Sequence, residues 1–330
     1  MGRGNMKILY MLTALVSLWG KVNCQCNSVP LSLTASVSNN AVLQSPGYPV
    51  TYPDNQACSW LIDAGRSGRH VIISGLHIQL ELDYDYVTIF DGNTLSDTIL
   101  ERFTGVHSGR WLKSSGQYLL ISLVTDYSVA APGFTMSYFA YDPLSPHDAN
   151  PACGDEVYIT VGETYQLASS DFPDSLIQGV RCDWTIRASG PGRIIGFKTL
   201  FSRFQDSFDD FDCHTDRISI FDGTSDTDTL LGFYCDKLDS PITRTFYTTG
   251  HLAHVTIQTI GNNLDRAFVL SYYELTSASI PTTAPPTTVE QVTSICESTT
   301  TLTIANGEEH FITSTTNWPL YYEKFEPFII

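Results

Sequence analysis

The stretch YDYVTIFDG occupies residues 84–92, and the similar stretch TDRISIFDG occupies residues 215–223. Each contains an Asp, then apolar residues on either side of a hydroxyl residue, and then Phe-Asp-Gly, and the two stretches lie about 130 residues apart. A repeat at this distance is too long for a solenoid unit and matches the length of a whole domain. The chain is therefore predicted to contain tandem copies of one module.

The sequence around both stretches alternates apolar and polar residues over short runs. Clear examples are HVIISGLHIQLEL (70–82), QYLLISLV (117–124) and HVTIQTI (254–260). A period of two is typical of half-buried strands, and no long stretch has helical spacing. Many short strands within about 115 residues bury one face of each sheet only in a sandwich or barrel. The predicted fold class is all-β, with tandem antiparallel β-sandwich modules.

The cysteines mark the start of each module. Cys26 and Cys153 are each followed about 30 residues later by a Cys-x-Trp triplet, which begins at Cys58 and at Cys182. In an oxidising compartment this spacing predicts the disulfides Cys26–Cys58 and Cys153–Cys182. Cys213 and Cys235 surround the second Phe-Asp-Gly and have no counterparts in the first copy, as expected for a bonded pair. The predicted third disulfide is Cys213–Cys235.

The two ends of the chain differ from the modules. In residues 1–24, basic residues precede a short apolar run, which is typical of a secretory signal peptide. Cleavage is expected after Gly20 or Cys24. The alternative is a buried N-terminal helix. No later stretch is long enough for a membrane span. We therefore expect a secreted, extracellular protein.

The segment after the second module is rich in Thr, Ser and Pro over residues 276–295, which predicts an extended linker. Residues 296–330 repeat features of a module start, so Cys296 is interpreted as the opening Cys of an incomplete third copy. No local partner for Cys296 is evident, and Cys24 is its only intramolecular option if cleavage leaves it in place.

Charge and motifs exclude several function classes. The formal net charge of −17, with no Lys/Arg cluster, argues against a nucleic-acid partner and favours basic proteins, neutral glycans or cations. The chain has no zinc-protease helix motif, no Gly-x-Ser-x-Gly elbow and no phosphate-binding glycine loop. We predict that it is not an enzyme.

These features together resemble the CUB domains, which are β-sandwich modules of secreted and cell-surface proteins. The resemblance covers residues 25–141 and 153–275 as two modules, and the second is the looser match because Ala267-Phe268 replaces Gly-Phe. The matching motifs are the opening Cys, Ser-Pro-x-Tyr-Pro (45–49), Cys-x-Trp (58–60), the Tyr-Asp motif (84–92), an apolar strand ending in Asp126, and Gly-Phe-x-x-x-Tyr (133–138).

The resemblance implies a calcium site in the first module. Carried over residue by residue, its ligands are Tyr52, Asp85, Asp126 and either Glu81 or Gln79, of which we choose Glu81. Calcium prefers oxygen ligands, and converging carboxylates supply both oxygens and charge. The alternative is that Asp85 and Asp126 are turn and strand-end residues that accept hydrogen bonds from local backbone N–H groups.

The second module has only one carboxylate at the corresponding positions, so no calcium is expected there. Those positions are Leu176, Arg203 or Gln205, Asp216, and Ile260 or Gly261.

The resemblance also implies a function. We expect a non-enzymatic protein-interaction molecule in which bound calcium orders the acidic residues so that a carboxylate oxygen receives a Lys or Arg of an extracellular partner. One alternative is a non-catalytic regulatory part of an extracellular protease system. Another is glycan binding similar to that of the spermadhesins, for which Tyr48 and Tyr52 are the candidate exposed aromatics.

Overall fold

The computed structural model describes residue 26 and residues 29–143, 153–169, 172–174, 179–204, 216–235, 244–260 and 266–276. Several predictions concern residues outside these ranges: the signal segment, Leu176, Gln205, Cys213, Gly261, the linker beyond residue 276, and the third segment 296–330. In the part that is described, no helix is long and apolar enough to cross a bilayer.

The first module is a sandwich of two β-sheets, as predicted. Five strands form one sheet in the order β1-β3-β8-β5-β6, and four form the other in the order β2-β9-β4-β7. The strands are β1 (Leu31–Thr34), β2 (Ala41–Gln44), β3 (Ala57–Asp63), β4 (His70–Gln79), β5 (Tyr86–Asp91), β6 (Thr98–Phe103), β7 (Val106–Lys113), β8 (Tyr118–Val124) and β9 (Gly133–Tyr141).

The second module repeats this topology strand for strand. Its sheets have the orders β10-β12-β17-β14-β15 and β11-β18-β13-β16. The strands are β10 (Glu156–Tyr158), β11 (Thr164–Ala168), β12 (Arg181–Arg187), β13 (Arg193–Phe204), β14 (Asp216–Asp222), β15 (Thr229–Tyr234), β16 (Thr245–Tyr247), β17 (Leu252–Thr259) and β18 (Arg266–Thr276). The repeat in the sequence is thus a repeat of a complete fold.

One strand pair in each module departs from a purely antiparallel arrangement. β1 pairs with β3 in parallel, with Leu31 opposite Trp60, and β10 pairs with β12 in the same way. Parallel neighbours need a crossover connection. Here the chain crosses to the opposite sheet through β2 or β11 before it returns, so the pairing follows from the sandwich topology.

Alternating side chains of the facing sheets fill each core. Trp60 of β3 lies edge-on against Phe134 of β9 with ring centroids 5.5 Å apart, and Trp184 and Phe268 form the equivalent contact in the second module. The disulfides Cys26–Cys58 and Cys153–Cys182 connect the start of each module to the Cys-x-Trp strand. Cys235 is also disulfide-bonded.

The repeated Phe-Asp-Gly has a structural role in both modules. The carboxylate of Asp91 accepts a hydrogen bond from the backbone N–H of Ser115 at 2.7 Å, which links β5 to the loop before β8. A Cβ atom at Gly92 would lie 2.2 Å from the Asp97 carboxylate, so only glycine fits there. In the second module, the Asp222 carboxylate accepts a hydrogen bond from the backbone N–H of Thr249, and a Cβ atom at Gly223 would lie 2.3 Å from the Asp228 carboxylate.

The two modules are packed against each other through the four-stranded sheets. A separate apolar cluster contains Phe139 and Tyr141 of the first module and Phe172, Phe201 and Val269 of the second. The rings of Tyr141 and Phe172 have centroids 4.7 Å apart, and those of Phe172 and Phe201 are 5.1 Å apart. This cluster joins the two modules in one packed unit.

Polar contacts extend the same interface. The Gln166 side-chain amide donates to the carbonyls of Val37 at 3.0 Å and Ala140 at 2.8 Å, and its oxygen accepts from the Asp142 N–H at 2.8 Å. Gln166 is buried and uses both ends of its amide across the interface. A buried amide with these partners fixes the relative orientation of the packed faces because any shift would leave it unpaired.

Candidate metal centre

Three loops meet at one end of the first sandwich and bring the predicted site residues together. Glu81 follows the end of β4, Asp85 immediately precedes β5, and Asp126 comes two residues after β8 ends at Val124. Tyr52 lies in the connection between β2 and β3. All four residues lie in loops outside the strands, so their side chains do not follow the alternating pattern of the strands.

Asp85 is the centre of the hydrogen-bond network at this end. Its carboxylate is fully buried and accepts a hydrogen bond from the Tyr52 hydroxyl and one of 2.8 Å from the backbone N–H of Asp126. The Tyr52 oxygen in turn accepts from the backbone N–H of Glu81 at 3.0 Å. Burial and the hydrogen bond to Asp85 raise the pKa of the Tyr52 hydroxyl, which keeps it as a donor.

Three carboxylates converge on this network. Oxygens of Glu81, Asp85 and Asp126 all lie within 4.8 Å of one another. Desolvation and the neighbouring carboxylates of Asp126, Asp85 and Asp54 raise the pKa of the Glu81 carboxyl. Among the described residues, none of the three forms an ion pair with a Lys, Arg or His.

The oxygen atoms of this cluster fit a hard cation. Glu81 Oε2 is buried and has no hydrogen-bond partner in the described structure. A buried carboxylate oxygen without a partner is costly. Calcium takes about six to eight oxygen ligands, and a bound ion would remove both the unpaired oxygen and the repulsion between carboxylates. Glu81, Asp85 and Asp126 would hold such an ion. Tyr52, which was named with them as a ligand from the sequence, has its hydroxyl hydrogen-bonded to Asp85 and would orient that carboxylate.

The structure distinguishes between the two residues proposed for the Glu position. Gln79 is the last residue of β4 and is paired with Val106 and Gly133. Glu81 lies beyond the strand and joins the cluster. The alternation of side chains along a strand cannot distinguish residues 79 and 81, because both would point to the same face. The end of β4 at Gln79 distinguishes them, because Glu81 lies outside the strand. Asp54, which contributes to the field at Glu81, was not predicted from sequence because nothing in its spacing relates it to the other acids.

One expectation about Tyr52 is wrong. Tyr52 was named with Tyr48 as an exposed aromatic suited to a sugar ring, but it is 1% exposed and its hydroxyl is used within the network. Tyr48 is half-buried. Tyr52 therefore does not offer an open ring face as a stacking platform does, because the loop folds it inward onto Asp85.

The corresponding end of the second module carries a different set of groups. Asp216 is buried and accepts a hydrogen bond from the buried guanidinium of Arg266. Ile260 is exposed, and Arg203 lies over the ring of Trp111 at the interface between modules, 4.9 Å from its centroid. Within the described residues, no second group of three metal-ligating side chains is present.

The comparisons with known proteins agree with the two-module architecture. A family model described as the CUB domain matches residues 33–138 and 153–272. The chain belongs to the CUB domain family. The two matched regions coincide with the two sandwiches, so the acidic cluster lies in the first CUB domain and the Asp216–Arg266 pair in the second.

Individual relatives share these domains over part of their length. The chain is 31% identical over 200 residues to cubilin of Sus scrofa, covering 59% of this chain and 5% of cubilin. It is 30% identical over 210 residues to neuropilin-1 of Gallus gallus, covering 62% of this chain and 22% of neuropilin-1. The chain therefore spans a minor part of the curated relatives that it matches.

Solved structures with similar folds include two from MASP-1. The CUB1-EGF-CUB2 domains of rat MASP-1 are 18% identical with a TM-score of 0.30, covering 74% of this chain and 99% of that chain. The MASP-1 CUB2 domain, crystallised bound to Ca2+, is 23% identical with a TM-score of 0.28, covering 34% of this chain and 98% of that chain. These scores are too low to add anything about the site in this chain.

Proposed function

We propose that this chain is a non-enzymatic recognition protein of the extracellular space, and that it binds partner proteins through the acidic end of its first CUB domain in the presence of calcium. The observation that carries the proposal is the buried, unpartnered Glu81 Oε2 beside the carboxylates of Asp85 and Asp126. The disulfides Cys26–Cys58 and Cys153–Cys182 are consistent with an oxidising compartment.

The loops that hold the acidic cluster also present apolar side chains to solvent. Leu82, Tyr84, Tyr127 and Val129 are all largely exposed. They belong to the two loops that carry the acidic cluster: Leu82 and Tyr84 lie between Glu81 and Asp85, and Tyr127 and Val129 follow Asp126. Exposed apolar residues grouped around a polar centre are typical of a protein-interaction surface. The surface formed by Leu82, Tyr84, Tyr127 and Val129 is called the apolar collar.

Charge indicates what the partner offers to the centre of the collar. Three ionised carboxylates and one calcium ion sum to one negative charge, since −3 plus +2 equals −1. A site of this kind attracts a Lys or Arg side chain and repels an acidic one. The proposed partner is therefore an extracellular protein with a basic residue among apolar neighbours. The burial of Tyr52 disfavours the glycan alternative, and no contact in the described residues favours a protease system over other partners.

The first experiment measures the melting temperature of the full chain in calcium and in chelator. Calcium that binds only the folded state stabilises it by mass action, so the melting temperature should rise with calcium. Asp126→Asn should abolish the rise, and Glu163→Gln, which changes an exposed carboxylate of the second domain, should retain it. Equal melting of the wild-type chain in both conditions would disprove the calcium site.

The second experiment tests recognition. Immobilised wild-type chain should retain protein from extracellular fluid in calcium and release it in chelator, while Asp126→Asn retains none. Tyr127→Ser should weaken retention and leave the calcium-induced rise in melting temperature intact. Retention that is the same in chelator and for Asp126→Asn would show that binding takes place elsewhere.

A further inference from the structure

Equivalent hydrogen bonds in the two CUB domains show which residues correspond at the end of the sandwich that carries the acidic cluster. The Thr125 hydroxyl accepts from the Gln56 N–H at 2.8 Å, and the Thr259 hydroxyl accepts from the Val180 N–H at the same distance. Thr259 is paired with Asp216, and Thr125 follows Val124, which is paired with the residue after Asp85. Asp216 is therefore the counterpart of Asp85, and Ile260 is the counterpart of Asp126.

A second pair of contacts locates the counterpart of Arg266. The Ser45 N–H donates to the carbonyl of Phe134 at 2.9 Å, and the Ser169 N–H donates to that of Phe268 at 3.0 Å. Phe134 and Phe268 thus occupy the same place in their domains. Counting back two residues, Arg266 of the second domain corresponds to Pro132 of the first.

Arg266 and Asp216 form a fully enclosed ion pair. Nε of Arg266 donates to Oδ2 of Asp216 at 2.5 Å, and both side chains are 1% exposed. Burying a guanidinium is unfavourable unless a carboxylate faces it, and the same holds for the carboxylate. A buried Arg at this position therefore requires Asp216, and Asp216 requires a cation.

The remaining differences between the domains act in the same direction. Where the first domain has Asp126, the second has Ile260, which is 57% exposed and whose side chain has no ligand oxygen. Where the first domain has Tyr52 to hydrogen-bond the central Asp, the second has Leu176 in the sequence. At the positions that correspond to Asp126 and Tyr52, the second domain thus has apolar side chains in its sequence, and a positive charge lies beside the Asp that both domains share.

We infer that Arg266 is a built-in cation of the second CUB domain and takes the place that calcium would have beside the central Asp of the first. The role of Arg266 in the second domain depends only on the Asp216–Arg266 pair. The comparison with calcium rests on the function proposed for the first domain. Because its carboxylate is already neutralised from within the chain, Asp216 binds neither a calcium ion nor a basic side chain of a partner. The chain thus has one calcium-dependent recognition end and one end whose structure does not respond to calcium.

A double-mutant cycle on the full chain tests the pair. Arg266→Gln and Asp216→Asn should each lower the melting temperature, by roughly 5–10 °C, because each removes one side of a buried ion pair. The double variant should be much less destabilised than the two changes added together, with a coupling of about tenfold or more in the unfolding equilibrium constant. Additive effects would overturn the inference. Arg217→Gln, which changes the half-buried neighbouring Arg of β14, is the matched control and should have little effect.

Two further variants keep the test decisive. If Arg266→Gln does not fold, Arg266→Lys can be used instead, because it retains the positive charge. It should fold with a smaller loss of melting temperature than Asp216→Asn. A loss as large as that of Asp216→Asn would mean that packing, not charge, explains why Arg266 is buried there. In the Asp126→Asn background, calcium should not change the melting temperature at all. A residual calcium effect there that Asp216→Asn removes would place an ion on Asp216 and refute the inference.

The two proposals fail in different experiments. A wild-type chain that does not respond to calcium would disprove the site in the first domain, while the cycle between Arg266 and Asp216 would still give its own answer. A calcium response in the wild type together with an additive cycle would retain the proposed function and remove only the role of Arg266.

Discussion

The hydroxyl of Tyr52 donates a hydrogen bond to the carboxylate of Asp85, inside the sandwich and out of contact with solvent. The bond connects the loop between β2 and β3 to the residue that immediately precedes β5. It holds one oxygen of Asp85 while the Asp126 N–H holds the other, so the orientation of the central carboxylate is set by the protein before any ion arrives.

Tyr52→Phe should weaken calcium binding without changing the fold. The ring remains and keeps the packing, but the Asp85 oxygen loses its donor and the Glu81 N–H loses its acceptor. Leaving such buried groups unpaired costs about 1–3 kcal/mol. Calorimetric titration with calcium should show a reduced affinity, and Tyr127→Phe, at a highly exposed tyrosine, serves as control. Unchanged affinity in Tyr52→Phe would mean that Asp85 is oriented without the hydroxyl.

Asp142→Asn should destabilise the chain at neutral pH and lose this effect in acid. Burial opposes ionisation of Asp142, but hydrogen bonds and charge from Arg66 and Arg69 outweigh it and hold the pKa of this carboxyl below its ordinary value of 3.8. A lowered pKa in the folded state means that the stabilisation is present above pH 3.8 and is lost as the pH falls through the folded pKa.

The measurement is the free energy of unfolding of both proteins between pH 7 and pH 2. At pH 7 the variant should be less stable by about 1.5–3 kcal/mol, the range for hydrogen bonds to charged groups. The two curves should converge below the ordinary carboxyl range, and Asp155→Asn, at an exposed position, should follow the wild type throughout. A difference that is constant with pH would exclude the charge as its cause.

Gly92→Ala should destabilise the first CUB domain, whereas Gly116→Ala should not. The new Cβ atom at position 92 would lie 2.2 Å from the Asp97 carboxylate, while at Gly116 no atom lies within 4 Å. We expect a loss of about 2 kcal/mol for Gly92→Ala in denaturant unfolding, because Asp97 must leave its place in the turn. Equal stability of the two variants would show that the turn accommodates a side chain.

Phe201→Ala should separate the unfolding of the two domains. Phe201 packs on Phe172 at 5.1 Å and on Trp111 at 6.3 Å, which makes it the shared residue of the interface. Removing a buried aromatic costs about 3–5 kcal/mol. The wild type should unfold in one calorimetric transition and the variant in two, with Tyr158→Ala, an exposed aromatic of the second domain, behaving as the wild type. Two transitions in the wild type would contradict the coupling.

Peptide mapping without reduction should find three disulfides: Cys26–Cys58, Cys153–Cys182 and Cys213–Cys235. The first two bonds are present in the structure, and Cys235 is bonded. Their positions keep every bond within one domain. A bond between a cysteine of residues 26–58 and one of residues 153–235 would contradict the division into two domains.

The sequence alone determined the class of this protein. Apolar residues at every second position require strands with one buried face, and a complete repeat of the pattern requires two modules, whatever the details of packing. The resemblance to the CUB family also predicted Asp85 and Asp126 as members of one acidic group, and the fold brings these residues together. The predictions of the fold class and of the repeat depend on local spacing, which a sequence displays directly.

Tertiary structure decided what spacing leaves open. Gln79 and Glu81 share a strand parity, and only the end of β4 at Gln79 brings Glu81 to the cluster. The inward turn of Tyr52 and the enclosure of Arg266 with Asp216 depend on loops that approach from distant parts of the chain. The apolar cluster between the domains likewise forms where the outer faces of two sheets meet. The sequence pattern of each strand shows that these faces are apolar, but not that they contact each other. A sequence pattern specifies which face of a strand is buried, but which distant group covers it, and which charge meets a buried carboxylate, is settled only when the sheets are packed.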